Sequence, residues 1–208
     1  FLAKQFEEAY AMKDHLTHVS PRVQNRNLPY TPVAPSDTMQ NEPDTDFDLS
    51  QNQEWVRRIF AKWKKSGTEE PEIIPLQIGA ETVVCKNRYK YLDRCQNDEV
   101  CICEMSQADS AQVEKIIEIA ETDPAGWRKT TLEERHRIMY EAANRLADMR
   151  GDLIGCMCAV TGKTVIEGDV EVSEAVDYAR FYTTAMKKFA ALDDIEIKPK
   201  GTILVISP

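Results

Sequence analysis

Hydrophobic positions keep no sustained period over the first fifty residues. Leu2, Phe6, Ala9 and Lys13 make a weak helical stripe, and Pro29, Pro32, Pro35 and Pro43 then follow too closely for a helix or a central strand. An extended tether running from Pro21 to Asp48, proline-rich and then acidic, is predicted, with Tyr30 and Phe47 able to anchor it to a neighbouring surface. A helical period sets in at Ser50, where Ser50-x-x-Gln53 has the form of a capping box. Val56, Ile59, Phe60 and Trp63 then share one face, and the helix should close near Gly67. Next the period shortens to two. IIPLQIGAETVVCK alternates around Gly79, which predicts a hairpin, and DEVCICEM predicts a strand entered through a turn at Asn97 and Asp98.

Helical spacing returns after the strands. Asp109 and Gln112 make a capping-box start for a helix striped by Val113, Ile116, Ile117 and Ala120, closing before Pro124. Thr131 and Glu134 start a second, whose stripe is Leu132, Met139, Ala142, Leu146 and Met149. A short helix and a long one over about 164–191 follow. Lys200 and Gly201 then introduce TILVIS, a β-branched run of the kind found in parallel strands buried on both faces. The pattern predicts an α/β chain divided into 1–49, a helical and extended extension, and 50–208, a unit of hairpin strands, packing helices and a terminal parallel strand. Because it starts at Phe1 and stops on Pro208 straight after a strand-like run, the chain reads as an internal piece of something longer.

Composition narrows the chemistry. A net charge of -9 with a pI near 5.0, and no clustered Lys or Arg, argues against binding a phosphate backbone. No run approaches the roughly 20 apolar residues of a membrane span. Six cysteines without a secretory leader read as reduced thiols in a cytoplasmic protein. The pairs Cys101-x-Cys103 and Cys156-x-Cys158 are too closely spaced for a usual zinc site and lack nearby histidines, so no metal is expected.

Two segments could carry chemistry. TGKT at 161–164 looks like the end of a P-loop, but Met157 stands where the backbone wrap around phosphate demands glycine, so that reading fails. In the long helix, Val165, Val172, Ala179 and Met186 mark one side and Val170, Glu174, Tyr178, Phe181 and Ala185 the other, which predicts a sandwiched helix. Glu174 then stands among aromatics. On the pattern alone, an ion pair with Arg180 or Lys187, plain exposure and a ligand role all stay open. The carboxyl end of TILVISP, at Ile206, Ser207 and Pro208, is where open α/β sheets place ligands, although taken alone it is only a buried strand.

The order Trp127, TLEER at 131–135, RGDLIGCMCAVTGKT, EGDVEVSEAVDYARFY and PKGTILVISP resembles the amino-terminal third of aldehyde dehydrogenases. Within that superfamily EVSEAVDYARFY is similar to the helix of glutamate-semialdehyde (1-pyrroline-5-carboxylate) dehydrogenases. QFEEA with SPRVQNRNLPYTP resembles the junction to a proline dehydrogenase barrel in bifunctional proline utilization A enzymes. The resemblance implies an aldehyde dehydrogenase fold with a first Rossmann-like strand, and NAD-dependent oxidation of L-glutamate γ-semialdehyde to glutamate in a homo-oligomeric parent enzyme. It implies FAD only in an upstream domain outside this chain. It also implies that Ile206, Ser207 and Pro208 line the NAD cleft and that Glu174 faces the substrate's amino group. None of the six cysteines sits in the family's nucleophile context, so the catalytic cysteine and glutamate are expected outside this chain. A general aldehyde dehydrogenase, or a non-catalytic scaffold of the same fold, are the alternatives.

Overall fold

The computed structural model describes residues 2–12, 22–64, 70–96, 100–194 and 196–206. Helix α1 (Leu2–Ala11) leaves Phe6 and Tyr10 exposed. α2 (Ser50–Trp63) begins where predicted but without the Ser50 capping box. Leu49 is the N-cap and supplies no side-chain acceptor, while the Gln53 amide donates to the Phe47 carbonyl instead. It closes at Trp63, and Gly67 lies outside the described residues.

The strands form two small sheets. β2 (Leu76–Ile78) and β3 (Glu81–Val83) are the predicted hairpin, turning on Gly79 at φ 59°, a left-handed conformation that glycine adopts without cost. In the other, β5 (Cys101–Ser106) is central, parallel to β1 (Glu72–Ile74) and antiparallel to β4 (Arg88–Leu92). β4 is absent from the sequence expectation because RYKYL mixes basic and aromatic side chains with no apolar face. The turn expected at Asn97 and Asp98 lies outside the described residues.

The helices carry the core. α3 (Ser110–Thr122), α4 (Leu132–Asp148) and α6 (Val165–Ala190) each start on a formed capping box, from Asp109/Gln112, Thr131/Glu134 and Thr164/Glu167 respectively. α5 (Arg150–Thr161) ends on Gly162 at φ 74°, so the glycine of TGKT is a helix cap and its last threonine starts the next helix. Small residues let α4 and α6 approach: Ala143, Ala147, Val176 and Ala179 are buried, with Tyr30, Met139 and Leu146 packed around them. A second cluster joins Ile154 and Cys158 of α5 to Val172 of α6 beneath Trp55. α2 crosses α5 at Gly155, where a Cβ would stand 2.2 Å from the Trp63 ring.

Several stripes are covered differently from expectation. α4 buries His136, Tyr140, Ala143 and Ala147, a face rotated from the predicted one, and leaves Met149 exposed. On α3, Val113, Ile116 and Ile117 are exposed, and Ile119 reaches the hairpin at Gly79. α6 is covered on its Val172 and Ala179 side only, while Val170, Tyr178 and Phe181 stay exposed. The run 203–206 forms no ladder with any described strand, and its four side chains are 68–82% exposed. A strand buried on both faces needs neighbours at its edges and a layer on each side; the two sheets here supply neither.

The extended tether is a packed strap, anchored at Tyr30, which packs on the α4–α6 core and bonds Asn144 and Arg180. Residues 22–48 run along α4 and α6, so packing continues across the division expected at 49. Tyr140 Oη donates to the Ser36 carbonyl at 3.1 Å, and Asn144 pairs with the backbone of Val33 through both amide atoms at 3.0 Å. Beneath the strap, Glu42, 4% exposed at its side chain, accepts from Arg180 at 3.1 Å and Arg150 at 3.4 Å. Asp169 accepts from Arg150 at 2.8 Å and from the Thr45 amide and hydroxyl at 2.6 Å each. Arg26 joins through Thr45 at 3.0 Å. Its pKa is lowered, because burial and then neighbouring Arg150 disfavour its charge. Such charges stand inside a fold only when paired and hydrogen-bonded.

Candidate functional site

Glu174 lies on the open side of α6 and is exposed. Neither ion pair considered from the sequence forms: Arg180 is turned inward to Glu42, and Lys187 pairs with Asp37 at 2.7 Å and Glu133 at 3.0 Å. The carboxylate instead faces a cleft of about 350 Å³ walled by Asp177, Tyr178, Phe181 and Tyr182 of α6 and by Met39 and Asn41 of the strap. Capping at Thr164 fixes the start of α6. Burial of Asp169, Val172, Ser173, Val176, Ala179, Arg180, Thr183 and Thr184 fixes its rotation, and the Glu174 face is what remains outside.

The cleft is lined by two carboxylates and three aromatic rings, and no cation is among its lining residues. Asp177 is held in place by neutral donors: Asn41 Nδ2 at 2.6 Å and the Glu42 backbone N–H at 2.7 Å. Among the described residues no cation pairs with it. Tyr178 and Tyr182 pack at 5.9 Å between centroids, and Phe181 meets Tyr182 edge-on at 5.4 Å. A small organic cation suits these walls, since carboxylates attract it and ring faces tolerate it.

Asp177, Asn41 and Met39 were not singled out by sequence reasoning. Asp177 stands three residues after Glu174, a spacing that makes neighbours on a helix, and that signal was available. Nothing in the sequence brings Met39 or Asn41 to α6, because they act through a strap fold that has no period.

The other predicted positions are not gathered with Glu174. Ile206 is 82% exposed on no sheet, and Ser207 and Pro208 lie outside the described residues. The described residues do not by themselves fit a dinucleotide. Burial pushes the Cys103, Cys156 and Cys158 thiols upward, which disfavours their thiolates. All six cysteines are free, and no group of three potential metal ligands occurs among the described residues.

Hairpin, small mixed sheet and braced helices define an α/β chain with an open polar and aromatic cleft beside α6. The aldehyde dehydrogenase family matches residues 85–208, and the chain belongs to that family. It is 26% identical over 179 residues to the 1-pyrroline-5-carboxylate dehydrogenase of Bacillus pumilus, covering 81% of this chain and 34% of that protein. To the Geobacillus sp. enzyme of the same name it is 29% identical over 163 residues, covering 78% and 31%. The chain thus spans about a third of the length of these relatives.

Two solved structures share the fold. Proline utilization A from Bdellovibrio bacteriovorus superposes with a TM-score of 0.68 at 21% identity, covering 85% of this chain and 17% of that one. A 1-pyrroline-5-carboxylate dehydrogenase from Thermus, solved with bound NAD, gives 0.68 at 23% identity, covering 78% and 30%. No helix among the described residues is long and apolar enough to cross a membrane.

Proposed function

We propose that this chain is the amino-terminal part of an enzyme that oxidises L-glutamate γ-semialdehyde, the hydrolysed form of 1-pyrroline-5-carboxylate, to L-glutamate with NAD as hydride acceptor. The observation that carries the reading is Glu174, an unpaired carboxylate at the mouth of an aromatic, cation-free cleft. The semialdehyde bears an ammonium group that an ordinary aliphatic aldehyde lacks. A fixed carboxylate facing it selects for that substrate, because a neutral aldehyde leaves the charge without a partner. Family membership supports the aldehyde chemistry, and the names of the relatives support this substrate over others. NAD as oxidant is supported by the Thermus structure with NAD bound.

Residues 1–49 belong, in the same reading, to the junction with an upstream, FAD-dependent proline dehydrogenase domain, a reading supported by the likeness to proline utilization A. A homo-oligomeric state, a cytoplasmic location and a place for Ile206, Ser207 and Pro208 beside the dinucleotide complete it.

The test is Glu174→Gln in the full-length enzyme. KM for the semialdehyde should rise about tenfold, equivalent to roughly 1.4 kcal/mol, while KM for propanal changes less than about twofold. Equal effects on both aldehydes would remove Glu174 from the substrate site and favour an aldehyde dehydrogenase of broad range.

A further inference from the structure

Asp177 is bound by the strap and by no cation that the structure describes. Asn41 Nδ2 and the Glu42 amide each donate to one of its carboxylate oxygens, at 2.6 and 2.7 Å. The strap is anchored on both sides of this contact, by Asp37 to Lys187 at 2.7 Å and by Glu42 to Arg180 at 3.1 Å. Met39, between the anchors, closes the cleft opposite Tyr178 and Phe181. Two bidentate-like donors fix the Asp177 carboxyl plane without neutralising it. A charge held by neutral dipoles keeps its field for whatever enters the cleft, whereas one paired to lysine would not.

We infer that the strap is a built wall of the Glu174 cleft, with Asn41 a positioning residue that aims Asp177 as a second, specificity-determining carboxylate for ammonium-bearing aldehydes. The inference rests on the reading of Glu174 given above and deepens it. At i and i+3 on one helix, the two carboxylates lie about 5–6 Å apart at their Cβ atoms, close enough for one ammonium to feel both. Glu174 depends on helix geometry alone. Asp177 depends also on a segment more than a hundred residues earlier in the chain. Selectivity would therefore be lost when the strap contact is lost, even with Glu174 intact.

The test compares Glu174→Gln, Asn41→Ala and Asp177→Asn in the full-length enzyme, reading kcat and KM for the semialdehyde and for propanal. Asn41 is exposed, and Asp177→Asn keeps the shape but sets its amide NH2 against one of the two strap donors, so the Tm of each variant is compared with the wild type. Asn41→Ala and Asp177→Asn should each raise the semialdehyde-to-propanal KM ratio about threefold to tenfold. Asn41→Ala placed on Asp177→Asn should add nothing further. A ratio that moves in Glu174→Gln but stays at the wild-type value in the other two overturns the strap inference and leaves the Glu174 reading standing. A ratio unmoved in all three overturns both.

Discussion

Replacing Glu42 by alanine removes the only carboxylate that pairs Arg180 in the described structure and one of two that pair Arg150. Arg150 keeps Asp169 and Ser173, but Arg180 is left with the Tyr30 hydroxyl at 2.9 Å. Both guanidinium groups are 2–3% exposed at their side chains, and neither Nε has a partner, so water cannot replace what is lost without opening the strap. Breaking a buried pair from one side costs about 3–5 kcal/mol. At roughly 2–4 °C per kcal/mol for a chain of this size, Tm should fall by about 6–20 °C. Thermal unfolding followed by circular dichroism measures it. The control is Glu141→Ala, which breaks pairs with Arg137 and Arg145 at a residue 51% exposed, and should cost under ~0.5 kcal/mol. If Glu42→Ala and Glu141→Ala shift Tm equally, the strap does not bury its charges as described.

Other consequences are as direct. Gly155→Ala pushes a methyl into the Trp63 ring at the α2–α5 crossing and should cost about 1–3 kcal/mol by chemical denaturation, where Gly126→Ala, with open space at its Cβ but a φ of 74°, loses less than that. Asp37, Asp46, Asp123, Glu134, Asp152 and Glu167 all sit below their ordinary values of 3.8 or 4.5, through hydrogen bonds from Lys187, Arg22, Arg128, Thr131, Lys62 and Thr164 respectively. Their stabilisation is complete above those ordinary values and disappears as pH falls through the depressed folded ones, so Tm should hold from neutral pH to about pH 5 and drop below it; a flat profile through pH 3 would contradict the pairing. Alkylation mapped by mass spectrometry should label exposed Cys95 before buried Cys103 and Cys158, whose thiols burial holds protonated; the reverse order would refute the burial assigned to them.

What the sequence made legible was whatever repeats with a period or signals through a cap. Thr131 with Glu134 and Asp109 with Gln112 announce their helices, and Gly79 its hairpin, because each works through atoms within four residues. Ser50 and Gln53 show the limit of that logic. The same pattern there is displaced by Leu49 because Gln53 is drawn off to Phe47 and Asn52 to Arg26, Gln24 and Asp46. The strap was illegible for a stronger reason: Glu42, Thr45 and Asn41 look like solvated residues of an acidic linker. Beyond Arg26 nearby, they are ordered by Arg150, Asp169, Asp177 and Arg180, more than a hundred positions away. For the site, Glu174 was reached from the helix pattern and the family resemblance, but its cleft was not, since one wall belongs to the strap. The run 203–206 carries a strand's composition without a strand's neighbours, and composition cannot supply hydrogen-bond partners.

Under the proposed function, this chain serves an enzyme selective for an aldehyde carrying an ammonium group. The most direct measurement is NADH formation by the full-length protein supplied with NAD and either L-glutamate γ-semialdehyde or propanal. We expect kcat/KM to be at least about tenfold higher for the semialdehyde. Equal values for the two aldehydes, or no NADH from either, would contradict the claim.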